Sequence, residues 1–197
     1  MWYDWRQGQR IFGSLILVTR MSRIEILTAD QAKRWSEPLA WLLQDAVAGG
    51  ASVGFLPPVR DSEARTYWEG IVTDVAVKKA ILFAAFDNEK LVGSVQLCLP
   101  GMPNARHRAG VEKLMVLREH RRQGIGRALM EELEGHAREL GRTLLVLDTR
   151  KGDVAEQVYE ALGYRRAGKI PRYARGHNGA LEDTAIYFRE LADGEES

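Results

Sequence analysis

The sequence predicts an α/β (α+β) fold, a mixed sheet of about seven strands with helices on both faces. Three observations carry this. Apolar residues switch repeatedly between the alternation of half-buried strands and the three-to-four-residue recurrence of amphipathic helices. The resulting order is one strand, two helices, three strands, a helix, a strand, a helix and two strands, with no internal repeat. Finally, a chain of 197 residues, 45% hydrophobic and 28% charged, has the size and balance of one globular domain, not of a disordered or membrane chain.

The elements follow in order. Ile24 and Ile26 alternate with polar neighbours in a first strand over 23–27. Asp30 can cap a helix running to about Val47, with Trp35, Leu39, Leu42, Leu43 and Ala46 at helical spacing and Gly49 and Gly50 as its stop. Residues 51–58, with Phe55 and two consecutive prolines, form a loop whose apolar residues could cover a pocket, and Ser62 opens a second helix through Tyr67, Trp68, Ile71 and Val75. Strands over 81–86 and 91–99 flank a turn at 87–90. The next strand spans 109–117, and strict alternation would set Gly110, Glu112, Leu114 and Val116 on one face. A helix over 125–140 buries Ile125, Leu129, Leu133, Ala137 and Leu140 and stops at Gly141. The apolar run 144–147 is a covered strand ending at Asp148, and Val154, Val158 and Leu162 mark a helix closed by Gly163. Two strands, 164–170 and 184–191, close the chain.

We expect residues 23–193 to form the domain, with 1–22 a disordered N-terminal extension and 194–197 a tail. Arg6 and Arg10 before the apolar run 15–18 loosely imitate a secretory signal. That run is too short to span a bilayer, and Thr19, Arg20, Met21, Ser22 and Arg23 follow it in place of a small-residue cleavage site. Met21 is an alternative start.

Charge narrows the function classes. The 28 basic and 27 acidic residues nearly cancel, so no global field points to nucleic acid or an anionic membrane. The local cluster Arg118, His120, Arg121 and Arg122 lacks the aromatic interleaving of a nucleic-acid surface. The single cysteine, Cys98, forms no intrachain disulfide and no cysteine-based metal site; we expect no metal and a reducing, cytoplasmic setting.

The informative segment is Arg121, Arg122, Gln123, Gly124, Ile125, Gly126 and Arg127, placed between a strand and a helix. Two glycines clear side chains from the turn, and the following helix start directs free N–H groups outward. With the helix dipole and the neighbouring arginines this makes an anion cradle suited to a pyrophosphate. It is not the dinucleotide fingerprint, since Leu129 stands where the third glycine would be, nor a Walker loop, which needs Lys and Ser or Thr after the second glycine.

Arg-x-x-Gly-x-Gly after a strand, followed by Ala128 and Leu129, resembles the signature of the GNAT acetyltransferase superfamily. Val158, Tyr159, Glu160, Ala161, Leu162, Gly163 and Tyr164 resemble its second block, and the two blocks lie in order. The resemblance implies a mostly antiparallel GNAT-like sheet and an acetyl-CoA site formed by Leu114, Met115, Val116, residues 121–127 and Tyr159. It also implies that Tyr159 protonates the departing CoA thiolate. Where the family often has an Asn, seven residues before this Tyr, the chain has Gly152.

Acyl transfer needs a neutral amine, so a carboxylate is a natural base, and Glu112 and Asp148 are the candidates. In some family members the base stands at the position of Gly110. Other readings remain beside these: Tyr159 as a core residue and Glu112 as a structural ion-pair partner. Cys98 reads as a small buried hydrophobe, not a nucleophile.

Residues 147–149, 152–159, 170–173 and 184–188, with 49–55, further resemble the tabtoxin-resistance type of acetyltransferase. That implies a small amine substrate, an amino-acid-like compound or antibiotic, held by Phe55, Asp148 and Tyr173. A homodimer is compatible with the sequence. The competing class is an acyl-CoA-binding sensor or regulatory module that has kept the cradle and lost turnover.

Overall fold

The computed structural model describes residues 23–191; the expected extension at 1–22 and the tail at 194–197 lie outside the described residues. Seven strands form one sheet in the order β1 (Arg23–Leu27), β2 (Ala80–Asp87), β3 (Lys90–Cys98), β4 (Arg108–Val116), β5 (Leu144–Arg150), β7 (Leu181–Glu190), β6 (Arg165–Arg175). Every neighbouring pair is antiparallel except β4 with β5. The fold is therefore the mixed, mostly antiparallel, GNAT-like sheet expected from the sequence.

Helices cover both faces. On one, α1 (Ala29–Arg34), α2 (Ser36–Ala48) and α3 (Asp61–Ala76) pack on the side presented by Gln96, where the Tyr67 hydroxyl of α3 meets the Gln96 amide. On the other lie α4 (Ile125–Glu139) and α5 (Val154–Ala161). There Gly93 lets α4 approach the sheet, since a Cβ at 93 would stand 3.2 Å from Leu129 Cδ1. The core lies between these layers. Ile125, Leu129, Met130, Leu133 and Ala137 are buried along α4, each large side chain stabilising the packing by roughly 1.5–3 kcal/mol. Opposite them Leu39, Leu42, Leu43 and Trp68 fill the first face.

Four local expectations need correction. The first helix is capped by Thr28, whose hydroxyl accepts from the Gln31 amide while Gln31 bonds back to the Thr28 amide, a capping box that outcompetes Asp30. It breaks at Trp35, so one expected helix is two. In β1 the fully buried residue is Leu27, 1% exposed and on the opposite side from the expected pair, of which Ile24 packs partly against the core while Ile26 is 40% exposed. Leu140 is the C-cap of α4, outside the buried stripe.

Candidate active site

The pairing of β4 with β5 joins Arg108 to Leu144, Ala109 to Leu145 and Gly110 to Val146, and stops there. Beyond it β4 runs on to Val116 and β5 to Arg150, with no further pairing between them. Glu112 and Asp148 each stand two residues past the last pair and, by strand alternation, on its face. The opening between the strands is thus flanked by two carboxylates on the side of α1–α3.

An irregularity in β4 shapes this opening. Gln96 pairs with Glu112, but Ser94 pairs with Met115, so β4 carries one residue more than β3 over the interval. Lys113 absorbs it with φ 52°. The expected strict alternation therefore fails. Glu112 and Met115 share the face of Gln96 and Ser94, whereas Val116 pairs with Gly93 on the face of α4. Glu112 does not share Val116's face; it shares that of Gly110. Met115 is 2% exposed and turned into the core, so it can offer a ligand its backbone only, while Leu114 and Val116 are half-buried.

Past Val116 a 3-10 turn at Arg118–His120 leads into α4. Gly124 is its N-cap, in the left-handed region at φ 82°, with no side-chain cap. The amides of Ile125, Gly126 and Arg127 therefore have neither a helical carbonyl nor a capping oxygen. A Cβ on Gly124 would meet nothing within 4 Å, and one on Gly126 only Val116 Cγ2 at 3.8 Å. This is open space in front of free amides at the positive end of a helix, which fits a pyrophosphate. Arg121 donates from Nε to the Val116 carbonyl at 3.1 Å, Gln123 to the Glu119 carbonyl at 3.3 Å, and Arg127 pairs with Glu131 at 2.7 Å. The turn is anchored from α2: Asp45 accepts from the Arg118 amide at 2.9 Å and from its Nε at 2.7 Å.

From the other face comes Tyr159, on α5, 7% exposed and packed against the rings of Tyr164 and Tyr187 at 5.8 and 6.2 Å. Burial, then the charges of Asp153 and Asp148, hold its phenol pKa above the ordinary range, so it stays protonated. Asp153 caps α5 by accepting from the Ala155 amide, and Gly152, at φ 84°, donates its amide to Glu156. Asp148 is exposed and accepts from the Thr184 hydroxyl at 3.1 Å.

On the α1–α3 side, Phe55 stands edge-on to Tyr67 with centroids 5.2 Å apart. Tyr67, Gln96, Cys98, Glu112 and Lys113 group beside it. The Cys98 thiol is pushed up to about 12 by burial and then by Glu112, which keeps it out of the thiolate form. Tyr173, by contrast, is 56% exposed on β6, in a stretch between Ile170 and Ala174 where the register with β7 is interrupted. Sequence reasoning missed Asp45, Tyr67, Gln96 and Lys113. Only Asp45 leaves a local signal, a charged residue in the apolar stripe of α2; the others are joined by pairings across 29 residues or by the bulge.

Two cavities adjoin these elements. One of about 220 Å³ lies between the start of α4 and α5, lined by Arg127, Val154, Gln157, Val158, Ala161 and Leu162. A larger one, about 670 Å³, is set at the β2–β3 turn against Trp35 and Trp41, across β3 from the opening. Among the described residues no cluster of three or more His, Cys, Asp or Glu could hold a metal, and no helix is long and apolar enough to cross a membrane.

Comparison with known proteins shows what the chain resembles. The sequence model of the Acetyltransferase (GNAT) family matches residues 73–164, from the end of α3 through the residue after Gly163. An N-acetyltransferase from Staphylococcus aureus Mu50 superposes with a TM-score of 0.72 at 17% identity, covering 87% of this chain and 99% of that one. The ribosomal-protein-S18-alanine N-acetyltransferase of Escherichia coli gives 0.64 at 22%, covering 90% and 99%. yncA from Salmonella typhimurium, solved with its cofactor acetyl-CoA, gives 0.69 at 15%, covering 89% and 97%. The family match covers just under half of the chain, and the structural likenesses show the fold.

Proposed function

We infer that this chain is a GNAT-superfamily enzyme that transfers the acetyl group of acetyl-CoA to the amine of a small molecule by direct attack. The observation that carries the reading is the arrangement around the β4–β5 opening. Glu112 and Asp148 flank it on one face, Tyr159 approaches from the other, and the free amides of α4 stand past the end of β4.

The residues divide the chemistry as follows. The amides of 125–127, with Arg121 and Arg122, would hold the pyrophosphate, and the backbone of 114–116 would border the pantetheine arm. Acetyl-CoA, when bound, supplies an acyl thioester. Glu112 takes the proton of the acceptor ammonium, with Asp148 the alternative base; the neutral amine nitrogen then bonds the acetyl carbon as the carbon–sulfur bond breaks, and the second proton that nitrogen sheds on becoming an amide passes to solvent. Tyr159, a protonated phenol, gives its proton to the departing sulfur and is reprotonated from solvent as the products leave. Glu112 is placed first because it belongs to the polar group of Tyr67, Cys98 and Lys113.

The acceptor fits the amino-acid-like or antibiotic class better than a polypeptide, since the polar group beside Glu112 is walled by Phe55 and Tyr67. Two measurements together test the reading: acetyl-CoA binding by calorimetry, and CoA release with a panel of amino acids, small amines and peptides. Binding with turnover on at least one small amine supports it. Tight binding with no turnover on any acceptor would favour a sensor instead.

A further inference from the structure

Lys113 is absent from the chemistry above, yet its placement is dictated by the site. As the residue that absorbs the β4 bulge, it holds φ 52°, a backbone conformation unusual for a side chain with a Cβ. This sends its ammonium toward α3. Nζ lies 5.5 Å from the centroid of the Tyr67 ring, and a Cβ on Gly54 would come within 3.8 Å of it. Its side chain is 16% exposed. Among the described residues its nearest carboxylate oxygen is Glu112 Oε2 at 3.8 Å, too long for a hydrogen bond. A largely covered ammonium held by one ring face and one distant carboxylate has donors to spare.

Adjacent opposite charges of this kind match a zwitterion. The ammonium and carboxylate of an α-amino acid are separated by two bonds to a shared carbon, so they can meet a carboxylate and an ammonium lying about as far apart as Glu112 and Lys113. Phe55, edge-on to Tyr67, gives the acceptor's side chain an apolar wall, and Gly54 in the same loop lies beside the ammonium. We propose that Lys113 binds the carboxylate of the acceptor and that the enzyme selects small zwitterionic amino-acid-like substrates, with Glu112 facing the amine that is acetylated. The proposal rests on the acetyltransferase reading and adds to it a residue that determines specificity.

Its test compares each amino acid with the amine lacking only the carboxylate, in the wild type and in Lys113→Met and Lys113→Arg. The wild type should prefer the amino acids. Lys113→Met should lower kcat/KM for them tenfold or more, mainly through KM, while the carboxylate-free amines keep at least half of theirs and KM for acetyl-CoA is unchanged; Lys113→Arg should recover much of the loss. An equal loss on both acceptor sets, or a wild-type preference for the carboxylate-free amines, would overturn the proposal and leave the acetyltransferase reading standing. If no acceptor turns over, that reading fails separately. Calorimetry of amino acids against the CoA-loaded protein then decides: binding lost in Lys113→Met upholds the carboxylate site, and no binding to the wild type refutes it.

Discussion

Asp45 and Arg118 lie 73 positions apart and are joined twice, amide to Oδ2 at 2.9 Å and Nε to Oδ1 at 2.7 Å. The carboxylate is 9% exposed, whereas the arginine side chain is 54% exposed. The pair ties α2 to the first residue of the turn that feeds α4, so it fixes where the cradle amides point. Gly49 permits the approach: a Cβ there would meet Arg118 Cδ at 2.7 Å, in a side chain held in place by Asp45.

Asp45→Ala should therefore cost about 1–3 kcal/mol of stability, the range for a buried acceptor lost to its partners, moderated by the exposure of Arg118. It should also weaken acetyl-CoA binding although Asp45 sits on α2, outside the glycine turn. Denaturant titration and calorimetry of the same variant read the two effects. Lost stability with unchanged affinity would mean the turn keeps its shape without this anchor.

Replacing Tyr159 with Phe should lower kcat about a hundredfold and leave acetyl-CoA affinity within a few-fold, because the ring contacts with Tyr164 and Tyr187 survive. The raised pKa has a sign that can be checked in stability as well. Below the ordinary phenol value of 10.0 both folded and unfolded chains are protonated. Above it the unfolded chain ionises first, so stability falls as pH rises, and the fall should be smaller in Tyr159→Phe. Full turnover under conditions where chemistry limits the rate would make Tyr159 a packing residue.

Glu112→Gln should reduce kcat/KM about a hundredfold, with Asp148→Asn costing less. The ranking follows from the place of Glu112 in the polar group with Tyr67, Cys98 and Lys113. A larger loss in Asp148→Asn would reverse the assignment of the base.

Cys98 should react with iodoacetamide far more slowly than an ordinary thiol. Its pKa of about 12, against a usual 9.0, leaves roughly a thousandfold less thiolate at pH 8. Cys98→Ala should retain turnover. Rapid alkylation of the folded protein, or loss of turnover in the alanine variant, would contradict the view of this residue as packing beside Glu112.

What the sequence made legible is what is local. The element order, the glycine turn, the α4 stripe and the placement of Tyr159 on a short helix all follow from periodicity and from residues within one or two turns of each other. Glu112 could be chosen by type but not placed, because the bulge at Lys113 is fixed by pairing with β3 and reverses which residues share its face. The break at Trp35 was hidden because the apolar spacing continues through it. Tyr67 and Gln96 carry no mark of the bond that joins them.

The most direct test of the account is acetyl-CoA binding to Gly126→Ala and Gly126→Glu, measured by calorimetry beside thermal unfolding. Gly126 is free of backbone strain, and a Cβ there meets Val116 Cγ2 at an ordinary 3.8 Å, so both variants should fold. The glutamate sets a negative charge where the pyrophosphate belongs; at a few ångströms near a protein surface that is worth on the order of 3 kcal/mol, or a hundredfold or more in affinity. The account predicts weakened binding in the alanine variant, none detectable in the glutamate variant, and melting temperatures close to the wild type in both. Wild-type affinity in a folded Gly126→Glu protein would contradict it.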